Sequence, residues 1–234
     1  MKTLLLKFAG PLQSWGTDSH FETRHTDQYP SKSAVIGLLA ACLGYQRNDD
    51  SDIQHLNDLD YAVRVDQTGQ TIRDYQTVKK YKKNGELERN YVTNRYYLED
   101  AVFIAAVSSS DSRWIDEIAE AVKNPYFQPF LGRRSCPPQA DIFLGVNEKG
   151  AVAALTELPW QASTWYQRKH NNHVPLYADS YLLESNRANY RYDYVISFSQ
   201  ERGRKFRMRQ ESVIYVDVHS EFEHDAFEAL GDQL

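Results

Sequence analysis

Lys7 to Gly16, K-F-A-G-P-L-Q-S-W-G, and Tyr29 to Arg47, Y-P-S-K-S-A-V-I-G-L-L-A-A-C-L-G-Y-Q-R, decide how this chain begins to fold. Thr3 to Phe8 reads as a buried strand, broken by Gly10 and Pro11 into a loop that carries Trp15. After Pro30 comes a helix that is apolar nearly all round, through Ala34, Val35, Ile36, Leu38, Leu39, Ala40, Ala41 and Leu43, and that stops at Gly44. Such a helix is packed on more than one side, and a glycine is its ordinary terminator. Its first residues are Ser31, Lys32 and Ser33. A helix start presents unpaired N–H groups and a positive dipole end, so these three residues, with Arg24 nearby, form a predicted phosphate seat. Nucleic acid is the first ligand class that this implies.

Outward from there, Tyr61 to Asp66 and Ala101 to Val107 are β-rich runs. Ser112 is placed to cap a helix whose Ile115, Ile118, Ala119 and Val122 recur at helical spacing, and Asp141 to Gly145 closes as a short strand. The order β-α-β-β-α-β predicts an α+β fold whose first domain, 1–150, is ferredoxin-like, the architecture of RNA-recognition domains. Between its second and third strands lies an insertion, about 67–98, much longer than a hairpin turn needs. This is read as a long inserted β-hairpin arm, with K-K-Y-K-K-N-G-E at Lys79 to Glu86 as its tip. Residues 151–234 read as a smaller β-rich C-terminal region. Within it Arg204 to Arg209 alternates, with Phe206 and Met208 predicted on one face and Lys205, Arg207 and Arg209 on the other as a basic stripe. Ser212 to Val218 is a further strand, and an acidic tail follows His219.

The chain has 234 residues, 41% apolar and 25% charged, the composition of a water-soluble globular protein. No run approaches the roughly 20 apolar residues of a membrane helix, and the short N-terminal Leu run lacks a small-residue cleavage site, so a cytoplasmic protein is expected. Cys42 and Cys136 have neither CxxC nor histidine-partner spacing, and no metal or other cofactor is implied.

A net charge of −5 appears to disfavour RNA, but it is unevenly spread. Arg73 to Arg95 holds seven cations against three acids, and Arg187 to Arg209 seven against two, which leaves −14 on the remainder. The local field decides where a polyanion docks. The first run also contains Tyr75, Tyr81, Tyr91, Tyr96 and Tyr97, flat rings on which unstacked bases can rest. The third strand, A-V-F-I-A-A-V, has one aromatic and no cation, so loops and arm are better candidates for RNA contact than the open sheet face.

The opening stretch resembles the N-terminal signature of the CRISPR-associated CasD family, and three more stretches match in order: R-D-Y-Q-T-V at Arg73 to Val78, N-R-Y-Y-L-E-D-A-V-F at Asn94 to Phe103, and P-Y-F-Q-P-F-L-G-R-R-S-C-P-P at Pro125 to Pro138. The resemblance spans residues 3 to about 145 and is faint beyond 150. It implies a non-catalytic subunit of the type I-E Cascade complex that binds the 5′ handle of the guide RNA (crRNA) and caps a filament of the CasC backbone subunit, in antiviral defence. The large subunit CasA and the other Cascade subunits are the further partners implied, target DNA being met only through the assembled particle, and no membrane is involved. The arm falls where the family carries its thumb, which packs on a backbone subunit and shapes the RNA. On this basis Ser31, Lys32, Ser33 and Arg24 are expected to seat a phosphate, and Gln13 and Trp15 to contact a handle base. Arg133 and Arg134 are expected to clamp the handle, while Arg73, Tyr75, Lys79, Lys80 and Arg95 guide RNA along the arm. Each has a structural alternative: Trp15 as a ring buried under the Gly/Pro turn, Gln13 as a partner of its own loop, the two arginines as internal ion-pair formers.

The rival reading is a metal-independent endonuclease that processes repeat RNA. It needs a general base and acid near a 2′-hydroxyl, and His25, Tyr45 and Lys32 are its candidates. The seven histidines are scattered, without H-E-x-x-H spacing.

Overall fold

The computed structural model describes residues 1–16, 22–139, 142–184 and 188–219. The acidic tail, Arg187 and Asp141 therefore lie outside the described residues. Along the chain come β1 (Lys2–Ala9), β2 (Leu12–Gln13), β3 (Thr23–Arg24), α1 (Lys32–Leu43), α2 (Asp50–His55), β4 (Asp60–Gln67), β5 (Gln70–Tyr81) and β6 (Leu87–Glu99). These are followed by β7 (Val102–Ser109), α3 (Ser112–Lys123), β8 (Phe143–Asn147), α4 (Ala151–Glu157), α5 (Thr164–Gln167), β9 (His173–Asp179), β10 (Asn189–Ser197) and β11 (Lys205–Asp217).

The fold is α+β. Seven strands form one antiparallel sheet in the order β10-β11-β9-β4-β7-β1-β8. Strand periodicity of two assigns the faces. Leu4, Leu6, Phe8, Tyr61, Val63, Phe103, Ala105 and Val107 point to one core, shared with α1, α2 and α3. Leu5, Ala62, Val102, Ile104 and Ala106 point to a second, shared with α4, Trp160 and Ala162. Both faces of the central strands are thus covered. That is why Ala101 to Val107 is apolar throughout instead of alternating, and why it offers no open face to a base.

Local sequence places the helices. Ser31 caps α1 by accepting from the Ala34 N–H, and Gly44 ends it in the left-handed region at φ 84°. For α3 the cap is Asp111 and not Ser112: its carboxylate takes the Arg113 and Trp114 N–H groups, and Ser112 is the first helical residue. A carboxylate with extended backbone outcompetes a hydroxyl one residue later for the same orphan donors.

The strands after residue 150 continue the same sheet, because β9 pairs with β4 through Ala62–Ala178, Val63–Tyr177 and Arg64–Leu176. Arg64 fixes the intervening segment. It is fully buried, its Nε and Nη2 donate to Asp66 at 2.6 and 2.8 Å, and its other N–H groups donate to the Leu155, Leu158 and Pro159 carbonyls at the end of α4.

A buried ion network ties β9, β10 and β11 to the start of α1. Arg209 donates Nε and Nη2 to the two Asp193 oxygens at 2.8 and 2.9 Å, Nη1 to Asp179 at 2.9 Å and Nη2 to Glu211 at 2.6 Å. Asp193 also accepts the Lys32 backbone N–H at 2.9 Å, while the Lys32 ammonium donates to Asp179 and to the Asn57 carbonyl. Tyr29 donates to Glu211 at 2.7 Å, with the Arg191 guanidinium 4.3 Å over its ring. Three cations (Lys32, Arg191, Arg209) balance three carboxylates (Asp179, Asp193, Glu211), which is what makes burial tolerable. Burial alone would lower the ionisation of Arg209, but the Asp193 hydrogen bonds and surrounding carboxylates hold it above its ordinary value. For Lys32 burial dominates and pushes the ammonium down, with Asp179 opposing.

The network overturns the predicted faces of Arg204 to Arg209. Arg209 is buried, and Met208 is 62% exposed. The cause is a register shift between Tyr192 and Tyr194, where Asp193 is inserted opposite the β11 backbone; bulges of this kind re-aim side chains.

Two measurements follow from this packing. Asp193→Ala leaves a buried guanidinium and a helix-start N–H without partners, and is expected to lower the unfolding free energy by about 3–5 kcal/mol in urea titration; a loss below about 1 kcal/mol would show that the network does not hold the fold. Cys42 is buried in α1 and its thiol is pushed up to about 11 by burial alone. An acid whose folded value is raised favours the fold fully below its unfolded value, about 9, and that contribution is lost as pH climbs from 9 towards 11. Native protein at pH 9 should resist alkylation at Cys42, with labelling read by mass spectrometry, and Cys42→Ala should weaken the fall in stability between pH 9 and 11.

Candidate nucleic-acid interface

A second, smaller sheet carries the cations. β5 and β6 form a long antiparallel hairpin, β2 and β3 add to β6, and β3 lies parallel to it with Arg24 beside Arg95. From Gln76 to Asn90 the hairpin is exposed on both strands. Residues directly opposite in an antiparallel pair share a face. Asp74–Arg95, Gln76–Thr93, Val78–Tyr91 and Lys80–Arg89 therefore form one face, and Arg73–Tyr96, Tyr75–Asn94 and Lys79–Asn90 the other.

This alternation divides the arm residues singled out in the sequence. Arg95 and Lys80 lie on one face; Arg73, Tyr75 and Lys79 lie on the opposite one. A single RNA strand running along the arm meets one set or the other. The first face contains a groove at the arm root, a cavity of about 230 Å³ lined by Arg24, Val78, Tyr91, Thr93 and Arg95. Arg89 lies 4.1 Å over the Tyr91 ring, and the Arg95 Nη1 donates to Gln76 at 3.2 Å. Lys80 pairs with Glu88 at 2.8 Å, a contact at the surface and of little energetic weight.

Arg133 and Arg134 do not act as a fork. Arg133 is half-buried, donates Nη2 to the Arg24 carbonyl at 2.9 Å and the His25 carbonyl at 3.3 Å, and stacks 4.6 Å over Tyr97. It holds β3, and with it Arg24, against β6. Arg134 is exposed. The loop that carries them turns at Gly132, φ 82°, where an added Cβ would fall on the Ser14 carbonyl, so only glycine fits.

Gln13 and Trp15 are buried, and this corrects their expected contact with a base. The Trp15 ring is 1% exposed beneath the turn, with its Nε1 donating to the Gln13 side chain at 3.0 Å. The Gln13 amide in turn donates to the Phe8 and Ala101 carbonyls. The pair closes the core where β1 leaves the sheet.

The helix-start phosphate seat is also corrected. Ser31 and Lys32 are buried, the hydroxyls of Ser31 and Ser33 lie 3.1 Å apart, and the anion at the helix start is the chain's own Asp193. An external phosphate would have to displace a carboxylate already shared with Arg209. Arg24 is exposed and stands apart from this site, in the arm-root groove.

The three catalytic candidates do not converge. Lys32 begins α1 and Tyr45 lies beyond its end, which puts them about 20 Å apart at 1.5 Å per residue. Lys32 is committed to Asp179 and Asn57, and His25 stacks on Tyr96 with ring centroids 5.4 Å apart. Among the described residues no cluster of His, Cys, Asp or Glu has metal-site geometry, and no helix is long and apolar enough to cross a membrane.

Two cations in this region had no distinguishing sequence signal. Arg47, in the loop after α1, and Arg204, in the turn before β11, are both exposed, and both are charge neighbours across the fold. The ionisation of Arg204 is lowered first by partial burial, then by repulsion from Arg47 and Arg24.

Comparison with known proteins agrees with this architecture. The profile of the CRISPR-associated protein family (Cas_Cas5) matches residues 3–214. The Cascade subunit CasD of Escherichia coli (strain K12) is 39% identical over 158 residues, covering 61% of this chain and 70% of that protein. A chain of a CRISPR RNA-guided surveillance complex superposes with a TM-score of 0.74 at 32% identity, covering 92% of this chain and 90% of its own. A crystallised Cas protein gives 0.70 at 30% identity, covering 93% and 98%. A profile match that takes in nearly every strand and helix described above makes the chain a member of the CRISPR-associated Cas5 family.

Proposed function

We propose that this protein is a non-catalytic subunit of a type I-E Cascade complex that binds the 5′ handle of crRNA and caps the CasC filament, in the cytoplasm. The observation that carries the reading is the groove at the arm root. There Arg24 and Arg95 flank a partly apolar cavity, beside an exposed hairpin rich in cations and tyrosines, in a chain of this family. Unstacked bases need flat or apolar walls and their phosphates need cations, and the groove supplies both within one short stretch of surface.

In this reading residues 1–150 are the ferredoxin-like unit, since β8-β1-β7-β4 with α1 and α3 on one face has that connectivity, and β5–β6 is the thumb. Residues 151–234 extend the unit's sheet. RNA follows the arm face that carries Arg95 and Lys80 and passes Arg24, with Arg134 exposed beyond. The opposite face, with Arg73, Tyr75 and Lys79 and with Val92 at its centre, is left for the neighbouring CasC subunit. CasA and the remaining subunits join in the particle, and target DNA is met only there.

Purified protein incubated in EDTA with end-labelled mature handle RNA and with repeat RNA tests this reading on paired native and denaturing gels. A shift of handle RNA that leaves the strand intact is expected. A discrete cut in the repeat, abolished by 2′-deoxy substitution at the cut, would replace the binding role with a processing one.

A further inference from the structure

The loop after α1 and the turn between β10 and β11 are pinned to each other. Arg202 pairs with Asp50 at 2.9 Å and donates to the Asn48 carbonyl, and Ser197 donates to Asp50 at 2.8 Å. Gln54 donates to the Ile196 carbonyl at 2.8 Å, and Phe198 lies against Gly37 of α1. These contacts set Arg204 beside Arg47, with Arg24 of β3 as its other cationic neighbour.

Charge is neutralised almost everywhere else around this junction. Arg202 has Asp50, Arg191 has Asp27, and Arg209 has Asp179, Asp193 and Glu211. Arg24, Arg47 and Arg204 have no carboxylate within ion-pair distance among the described residues. Three gathered guanidiniums repel one another, and the fold offers nothing in return. Arrangements of this kind persist where an external anion supplies the compensation. The same Arg24 forms one wall of the arm-root groove, whose Tyr91 and Val78 give a flat apolar surface. At about 230 Å³ the groove is smaller than the roughly 300–1,000 Å³ that holds a whole small-molecule ligand, and suits one ring with its polar edge outward.

We propose that Arg24, Arg47 and Arg204 form one phosphate-binding cluster for single-stranded RNA, and that the groove between Arg24 and Arg95 takes the base of the adjoining nucleotide. The RNA is thereby gripped jointly by the arm root, the loop after α1 and the β10–β11 turn. The inference rests on the RNA-binding reading above and goes beyond it. It moves the phosphate site from the start of α1 to the far end of that helix, and it brings the C-terminal strands into the interface. A protein carboxylate surface would satisfy the guanidiniums but would leave the ring-sized groove unused, which is why RNA is preferred.

The test uses the full chain and handle RNA, with affinity measured by fluorescence anisotropy over a range of salt concentrations. The triple variant Arg24→Ala, Arg47→Ala, Arg204→Ala should melt at the wild-type temperature, since all three side chains are exposed. It should bind at least tenfold more weakly, with a salt slope smaller by about 2, from three phosphate contacts at roughly 0.7 each. A control that removes the three cations Arg113, Lys123 and Lys149 should change neither quantity by a comparable amount. Tyr91→Ala should cost about tenfold in affinity while leaving the slope unchanged, as expected of a stacking contact. Wild-type binding with undiminished affinity and slope in the triple variant would overturn the inference and leave the RNA-binding reading standing. Failure of the wild type to bind any RNA would sink both. If the triple variant kept its RNA affinity but no longer joined CasC, the cluster would be a protein-docking site and the inference would fall.

Discussion

The carboxylate of Asp193 is the contact on which the two halves of this protein depend. It accepts two hydrogen bonds from Arg209 and one from the backbone at the start of α1, so that one side chain joins β10, β11 and the first helix. Orphan N–H groups at a helix start need a partner, and a buried guanidinium needs a counter-charge. Asp193 meets both needs from a bulged position on β10. Asp179 repeats the arrangement one strand away, accepting from Arg209, Lys32 and the Tyr61 backbone. Because these groups satisfy one another, the fold keeps β9, β10 and β11 in a fixed relation to α1. Without that relation the loop carrying Arg47 and the turn carrying Arg204 would not be held together.

The same network explains why the strongest sequence signal for an anion site was misplaced. Ser31-Lys32-Ser33 at a helix start has the chemistry of a phosphate seat, and its capping geometry formed as read. What the sequence does not show is which anion arrives. Asp193 stands 161 residues away and is delivered only when β10 docks. Gln13 and Trp15 failed similarly. A Gly/Pro-broken loop with a polar and an aromatic residue can serve a ligand or plug a core, and the choice turns on whether the chain folds back beneath it. Short-range rules placed β1, α1, α3 and the insertion; the assignment of polar residues to solvent, core or ligand depended on contacts remote in sequence.

Alternation along strands was legible only where registers are regular. On β5 and β6 the pairing runs without shift from Gln70 to Lys80, so the split of Arg73, Tyr75 and Lys79 from Lys80 and Arg95 follows from counting by twos. That split was available in the sequence once the hairpin was accepted. On β11 the same counting fails, because the extra residue in β10 turns Arg209 inward and Met208 outward. A bulge leaves little trace in composition, so a basic stripe was expected where the chain buries its central cation.

The fate of the cations in the second basic run follows from this distinction. Of the described arginines there, Arg191, Arg202 and Arg209 are spent on internal carboxylates, and only those left over bear on a polyanion. Local charge density in sequence is therefore a poor guide to a nucleic-acid surface. The useful quantity is cation density after internal pairing, and by that measure the positive field lies at the junction of the arm root, the end of α1 and the β10–β11 turn. A protein with a net charge of −5 can hold RNA there, because the remaining acids are either consumed in the interior network or placed elsewhere on the surface. The ion network that consumes most of the basic residues in the second run is thus the same feature that defines, by exclusion, which arginines remain for a ligand.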